Sequence, residues 1–325
     1  MSNQLTPINN TGLSQSEFSN ALQQALKLPF KNKTYTAQIT RDSPSAFIFL
    51  LDQSGSMSEK ISFRNEKISK SEAVALIVNE TLNDIINRCQ KADEVRDYFE
   101  IAVIGYGGKN QDKANFAWEG SLESKTFVST SALATSFLSK KDIEFEQNIR
   151  GMIVKEKKPF RTWIRPLAEK LTPMRHALQL TAELLEDWLV RHRNKDIFPP
   201  IVINITDGEA TDGKEKELIQ AAHRIKDLHT TDGNVLLLNV HLSSAANTSV
   251  LFPTYSHELP NNEYAQLLFK MSSDMPAVYN SDIARYTGRD TSGAYTGMAF
   301  NADAKALISM MQIGTLTSMG KTQPA

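Results

Sequence analysis

Three oxygen-bearing side chains follow one strongly apolar stretch of the chain. Residues 46–51 are all apolar, the run ends at Asp52, and Ser54 and Ser56 follow at alternate positions around a glycine. A continuous apolar run of this kind is typical of a strand buried on both faces. One carboxylate and two hydroxyls at this spacing can turn toward one point above the strand end. They are hard oxygen ligands, which suit Mg²⁺ or a similar divalent cation such as Mn²⁺ or Ca²⁺ and suit zinc poorly.

Two further oxygen donors stand where a sheet could bring them near the first three. A second apolar run, 201–205, also ends in an acid, Asp207, within a Thr-Asp-Gly turn. Thr172 precedes Pro173 at the start of a helix, and this order favours Thr172 as the N-cap and Pro173 as the first helical residue. Ligands of open α/β sheets gather beyond the carboxyl ends of the strands, where the strand order reverses.

Strands and helices alternate along the chain. Apolar runs predict strands over 46–51, 99–106, 201–205 and 235–240, and helical spacing predicts helices over 74–89, 172–189 and 215–228. Ser69 and Glu72 are spaced as a capping box at the start of the first of these helices. This alternation predicts an α/β fold, doubly wound, with a mostly parallel central sheet and helices on both faces.

The remaining segments are less regular. We divide the chain into an N-terminal extension (1–41), one domain (42–316) with an insertion at about 109–165, and a C-terminal tail (317–325). Within the extension we expect a helix carrying Phe18 to Leu26 and an extended segment over 34–39. Within the insertion the irregular sequence pattern predicts only short strands and a weak helix. Near the end we expect a helix over 262–271, a short strand over 277–279 and a final helix over 301–311 that closes near Gly314.

Composition restricts the class of partner. The chain has 36 basic and 37 acidic residues, so no overall charge favours nucleic acid or an anionic membrane. Cys89 is the only cysteine, which indicates a reducing compartment. The first residues lack a secretory signal, and no apolar segment approaches the roughly 20 residues of a membrane helix. We therefore expect a cytoplasmic protein that binds neither nucleic acid nor membrane.

The spacing Asp52-Gln53-Ser54-Gly55-Ser56, together with Thr172 and Asp207, resembles the metal-ion-dependent adhesion site of von Willebrand factor A domains. The likeness covers about 43–315. It implies that Ser54 and Ser56 bind the cation directly and that the two aspartates act directly or through water. Thr172 would be the ligand that switches between direct and water-mediated contact. The metal would remain open to an acidic side chain from a protein partner.

The end of the chain narrows this resemblance. Residues 297–303 and the helix after them, together with Met57-Ser58 and 172–174, are similar to intracellular bacterial A-domain proteins of the tellurite-resistance-associated, TerY-like type. Such proteins tend to be encoded beside a metal-dependent protein phosphatase and a Ser/Thr kinase. The resemblance therefore implies an adaptor in a stress-response or phosphosignalling complex. The N-terminal extension and the long insertion depart from the compact members of that type.

Three alternatives compete with this interpretation. An adaptor of a MoxR-type AAA ATPase would use the same site with a different partner. A metal-dependent phosphohydrolase would use Asp52 as its nucleophile. However, Ser54 stands where such enzymes usually carry a second acid, and no lysine in a recognisable context completes the set, so we expect no enzyme. In the plainest alternative, Asp52 and the serines only stabilise a turn.

Other groups allow two interpretations each. Glu209 and Asp212 are either outer groups of the metal site or loop and capping residues. The basic segment 150–165 either docks an acidic partner, with Trp163 as an anchor, or forms a solvated loop with Trp163 in the core. The six histidines show no metal-binding spacing.

Overall fold

One eight-stranded sheet organises the fold of the computed structural model, which describes residues 8–27, 34–109, 112–149, 152–243 and 249–319. The strands are β1 Ser45–Asp52, β2 Lys60–Phe63, β3 Glu66–Ser69, β4 Gln90–Lys91, β5 Glu94–Val95, β6 Phe99–Tyr106, β7 Ala114–Phe116, β8 Val128–Ser129, β9 Ser139–Ile149, β10 Met152–Thr162, β11 Ile201–Thr206, β12 Leu236–Leu242, β13 Val250–Leu251 and β14 Met298–Ala302. The helices are α1 Gln15–Leu26, α2 Lys70–Cys89, α3 Thr130–Thr135, α4 Met174–Arg191, α5 Glu215–Asp227, α6 Glu263–Met271, α7 Asn280–Thr287 and α8 Ala304–Met319.

The centre of the sheet is parallel. Its order is β13-β14-β12-β11-β1-β6-β7, with β8 also pairing with β6. The five strands from β14 to β6 pair in parallel, and β7, β8 and β13 join antiparallel. The chain leaves β1 to form β6 on one side and later forms β11 on the other side, so the strand order reverses between β1 and β11. The predicted α/β fold with a mostly parallel sheet is confirmed.

β1 is the middle of the core. All eight of its residues are buried, and successive side chains point to opposite faces of the sheet. Phe47 and Phe49 pack in a cluster that includes residues of α2 and α8, whereas Ile48 and Leu50 pack with α4, α5 and α6. Each such side chain contributes about 1.5–3 kcal/mol by leaving water. Burial on both faces therefore fixes the position at which β1 ends, which is Asp52.

The N-cap of α2 is as predicted, and the N-cap of α4 is not. At α2, Ser69 and Glu72 form the predicted capping box. At α4 the helix begins at Met174 with Pro173 as the N-cap, so the prediction of Thr172 as N-cap is wrong. The side chain that caps α4 comes from another loop, because Asp212 accepts hydrogen bonds from the backbone N–H groups of the second and third helical residues (2.9 and 2.8 Å).

The described parts of the predicted N-terminal extension, 8–27 and 34–41, pack against the rest of the chain. The predicted helix is confirmed as α1, which buries Ala21 and Ala25, while Leu22 and Leu26 pack against the cluster that contains α4. Further along, the buried carboxylate of Asp232 accepts backbone N–H groups from Thr36 and Ala37, both at 3.0 Å. The extended segment predicted over 34–39 is thus held by one buried acid.

The insertion differs most from prediction. Residues 139–149 and 152–162 form two long antiparallel paired strands, β9 and β10, of eleven residues each. The sequence of β9 alternates apolar and acidic residues only over 143–146, and the apolar run of β10 is three residues long, 152–154. Both patterns are shorter than those of the central strands, so the sequence predicts short strands here instead of two long ones. Trp163 is 1% exposed, and its indole N–H donates to the carbonyls of Leu133 and Ser136. Trp163 belongs to the core, and the alternative in which it anchors a partner is wrong.

The last elements correct two further predictions. Residues Ala277–Tyr279 form a 3₁₀ turn and not a strand. The final helix, α8, is capped by Asp303 and continues past Gly314 instead of closing there, because its side chains up to Ile313 pack in the core. The cost of about 1 kcal/mol for glycine inside a helix is tolerated. Within the described residues, none of the helices has the length and apolarity needed to cross a membrane.

Candidate metal centre

Asp52 ends β1 and is held on both of its carboxylate oxygens. It is 2% exposed. Its Oδ1 accepts the backbone N–H of Ser54 at 2.9 Å, and its Oδ2 accepts the hydroxyl of Thr206 at 2.8 Å. Burial raises the pKa of Asp52 to about 6, assisted by the nearby negative charge of Asp207 and opposed by the bonds from Ser54 and Thr206. A buried carboxylate with only neutral hydrogen-bond partners is poised to gain from a cation.

A chain of hydrogen bonds joins both serines to the second aspartate. The hydroxyls of Ser54 and Ser56 lie 3.2 Å apart, and Ser56 donates to Oδ1 of Asp207 at 2.6 Å. Ser54 is buried and Ser56 is exposed. The structure therefore brings Asp52 and these three residues together, and it leaves the Ser56 side of the group open to solvent.

Thr172 reaches the same edge through its backbone. Its N–H donates to the hydroxyl of Thr211 at 3.0 Å, and its carbonyl accepts the Thr211 N–H at 2.9 Å, which ties it to the loop that carries Asp207. The preceding segment is tied to the first loop, because the Glu169 N–H donates to the carbonyl of Gln53 at 2.7 Å. Thr172 is 5% exposed, and within the described residues no hydrogen bond joins its hydroxyl to the other four predicted ligands.

A glycine allows the segment before Thr172 to approach the sheet. Gly107 follows β6 with a φ of +83°, and a Cβ at this position would lie 1.9 Å from the carbonyl oxygen of Leu171. Both the positive φ and the lack of space require glycine. The sequence thus ends β6 with a residue that lets the Leu171 backbone close over it, and this places Thr172.

Lys70 is a charged neighbour that the sequence did not predict. It is the first residue of α2 and is 3% exposed. Its ammonium lies 2.8 Å from Oδ2 of Asp207 and 2.7 Å from Oε2 of Glu59. Burial acts to lower the pKa of Lys70, but the bonds with Asp207 and Glu59 outweigh it and raise that pKa above its usual value. Lys70 is therefore a fixed positive charge beside the predicted site.

Two aromatic neighbours line the protein side of the site. The Tyr264 hydroxyl lies 3.3 Å from that of Thr206, and the His241 ring stacks on Phe300. Burial lowers the pKa of His241 to about 4, although the charge of Asp207 acts to raise it. His241 is therefore neutral at pH 7. No spacing in the sequence indicates either neighbour, because they come from β12 and α6.

The two further acids of the Asp207 loop, Glu209 and Asp212, have different surroundings. Asp212 caps α4, as described above, and Glu209 is exposed. The capping interpretation of Asp212 is confirmed.

The donor set fits a hard divalent cation. Among the described residues, no group of three or more His, Cys, Asp or Glu side chains is placed to hold a metal ion. The predicted group instead contributes two carboxylates, Asp52 and Asp207, and three hydroxyls. Mg²⁺ accepts such a set, since it is commonly bound through one or two carboxylates and keeps several waters. The absence of sulfur and imidazole from the set disfavours zinc.

Comparisons with known proteins give distant likenesses. No protein-family model matches the chain, and no curated protein matches it in sequence. Among solved structures it is similar to a von Willebrand factor type A protein from Catenulispora acidiphila, with 12% identity, a TM-score of 0.33, and coverage of 62% of this chain and 34% of that chain. It is also similar to an uncharacterized membrane spanning protein from Vibrio fischeri, with 14% identity, a TM-score of 0.23, and coverage of 61% and 71%.

The likeness spans about a third of the Catenulispora protein. At these scores neither structure bears on function. The strand order of this chain alone defines its fold.

Proposed function

We propose that this chain is a protein-binding module whose binding depends on a divalent cation, with Mg²⁺ as the natural candidate. One observation carries the proposal: the ends of β1 and β11 and the segment before α4 bring Asp52, Ser54, Ser56, Asp207 and Thr172 to one edge of the sheet. This edge lies where the strand order reverses, the usual position of a ligand site in an open α/β sheet.

The metal would supply a positive centre for an anionic group. Ser54 and Ser56 would hold it through hydroxyl oxygens, and the two aspartates would supply charge. Thr172 would be the adjustable ligand, a role that the resemblance to metal-ion-dependent adhesion sites implies. The exposed position of Ser56 leaves room for an acidic side chain of a partner. The resemblance of the motif to metal-ion-dependent adhesion sites supports these roles.

A binding role accords better with the environment of Asp52 than a hydrolytic one. A nucleophilic carboxylate must reach its substrate, whereas Asp52 is 2% exposed and both of its oxygens accept hydrogen bonds. We therefore propose a non-enzymatic adaptor in the cytoplasm. A kinase, a metal-dependent protein phosphatase or an AAA ATPase would be a partner of suitable kind. The similarity of 297–303 to TerY-like proteins favours the first two.

Calorimetric titration of MgCl₂ into the EDTA-stripped full chain tests the metal site. We expect binding that is lost in the double variant Ser54→Ala/Ser56→Ala. Ser58→Ala is the matched control, because Ser58 lies in the same loop but donates its hydroxyl to the carbonyl of Gly55. Equal binding by the double variant and the control would contradict the proposal.

The partner step is tested separately. A partner isolated from the native cell should bind the wild type in Mg²⁺ and should be lost with EDTA or with Asp52→Ala. Binding that survives both changes would show that the interaction uses another surface. Turnover of a phosphate ester in Mg²⁺ that disappears in Asp52→Asn would instead support the phosphohydrolase.

A further inference from the structure

The ammonium of Lys70 occupies one side of the proposed metal centre. It lies 2.8 Å from Oδ2 of Asp207, while Oδ1 of the same carboxylate accepts the Ser56 hydroxyl at 2.6 Å. The side chain of Asp207 is 0% exposed and that of Lys70 is 4% exposed. Both oxygens of Asp207 are thus engaged, one of them by a full positive charge that is shielded from water.

The backbone holds this ammonium in place. Lys70 begins α2, where the capping box of Ser69 and Glu72 fixes the helix start. Its N–H donates to the carbonyl of Glu59 at 2.9 Å, and its ammonium bonds the carboxylate of the same residue at 2.7 Å. Lys70 is held at two points of one residue, so its charge does not depend on a metal for its position.

A fixed cation at this place acts on any other cation that approaches. It offsets the charge of Asp207 and repels a divalent ion, and Coulomb repulsion of this kind is weakly screened where the groups are buried. An anionic group added to the open side would oppose that repulsion. Metal and anionic ligand would then each strengthen the binding of the other, because such coupling is reciprocal.

We propose that Lys70 is a positioning residue that keeps the affinity of the site for free Mg²⁺ low, so that the metal binds tightly only together with a carboxylate from a partner. This inference rests on the proposed function, since it assigns a regulator to the same metal site. It identifies the partner group by charge: an anion that compensates for the built-in ammonium.

Calorimetric titration of MgCl₂ into the EDTA-stripped full chain and its Lys70→Gln variant tests this role. We expect Lys70→Gln to bind Mg²⁺ about tenfold more tightly, which is the size expected for removing one charge near a divalent ion at high effective dielectric constant. Lys67→Gln is the matched control, because Lys67 is exposed and lies three residues earlier. It should leave the affinity unchanged. Unchanged or weaker binding by Lys70→Gln would overturn the inference.

A second variant applies if Lys70→Gln does not fold. Glu59→Gln removes one of the two carboxylates that bond the ammonium of Lys70. Asp207 then remains as its carboxylate partner and is offset by the whole positive charge. We expect Mg²⁺ affinity to drop about threefold. Glu66→Gln, an exposed glutamate of β3, is its control and should have no effect. Equal effects of the two glutamate variants would overturn the inference.

The titrations also separate this inference from the proposed function. If the wild type binds Mg²⁺ and Lys70→Gln binds it equally well, the metal site stands and the role of Lys70 is wrong. If neither chain binds Mg²⁺, both proposals are wrong. Titration with acetate present measures the coupling directly: acetate should tighten Mg²⁺ binding more in the wild type than in Lys70→Gln.

Discussion

Two aspartates end neighbouring parallel strands, yet their surroundings differ. Asp52 has a backbone N–H and a hydroxyl as partners, and burial raises its pKa to about 6. Asp207 lies against the ammonium of Lys70. The negative charge of Asp207 is therefore balanced by Lys70, whereas no cationic side chain in the described part of the chain forms an ion pair with Asp52. Equivalent positions at the ends of two parallel strands can therefore carry acids of different kinds. Asp52 is free of a cationic hydrogen-bond partner among the described residues and could gain from a metal ion, whereas Asp207 is already paired with the ammonium of Lys70.

The largest expected effect follows from removing the balanced acid. Asp207→Asn leaves the buried ammonium of Lys70 with Glu59 as its remaining acid partner. We expect the metal-free protein to lose about 3 kcal/mol of unfolding free energy, as is usual when one partner of a buried pair is removed. Urea unfolding in EDTA at pH 7.5 measures it. A loss below about 1 kcal/mol would mean that the pair contributes little.

The unbalanced acid should respond in the opposite direction. Asn at position 52 retains an oxygen for the Ser54 N–H and carries no buried charge. We expect Asp52→Asn to stabilise the metal-free protein by about 2 kcal/mol at pH 7.5. The same urea series measures it. If Asp52→Asn and Asp207→Asn destabilise equally, the proposed contrast between the two acids is wrong.

The stability of the folded chain should fall with rising pH because of Asp52. Because the pKa of Asp52 in the folded chain, about 6, exceeds the ordinary value of 3.8, the folded state binds this proton more tightly than the unfolded state does. The resulting stabilisation is fully present below about pH 4 and is lost as the pH rises through about 6, a change on the order of 2–3 kcal/mol. Unfolding measured between pH 4 and 7 in EDTA should show this loss in the wild type and not in Asp52→Asn.

A smaller effect should show whether Thr172 is a metal ligand or a structural residue. Thr172→Val keeps the side-chain shape and removes a hydroxyl that, among the described residues, makes no hydrogen bond to the other predicted ligands. We expect about tenfold weaker Mg²⁺ binding, or about 1.4 kcal/mol, with unchanged stability in EDTA. Calorimetry and urea unfolding measure the two quantities. Lost stability with unchanged Mg²⁺ affinity would make Thr172 a structural residue.

The smallest effect concerns the acid that caps a helix. Asp212→Ala removes the acceptor for two N–H groups of α4. We expect a loss of about 1 kcal/mol, the usual value for a cap, with Mg²⁺ affinity unchanged. Urea unfolding and MgCl₂ titration measure these. A large change in metal affinity would place Asp212 within the metal site.

The sequence predicts which strand ends meet, because simple rules apply there. Apolar runs that stop at an acid mark the ends of β1 and β11, and parallel pairing brings those ends together. The hydrogen bond from Ser56 to Asp207 joins residues 151 positions apart, as the spacing of motif and strand leads one to expect.

Other features depend on tertiary contacts that no local pattern shows. A lysine at a helix start normally reads as a surface group, and the partner of Lys70, Asp207, is 137 residues away. The cap of α4 likewise comes from another loop. The paired strands β9 and β10 contain no apolar run longer than three residues, so the hydrophobic pattern alone predicts short strands where long ones form.

The most direct test of the central claim is to locate the cation. Crystals of the full chain grown in Mn²⁺ allow anomalous difference density to place the metal without assumptions about its ligands. We predict one peak within coordination distance of the Ser54 and Ser56 hydroxyls and beside Asp52 and Asp207. A peak elsewhere, or none in crystals that hold a saturating concentration of Mn²⁺, would contradict the account.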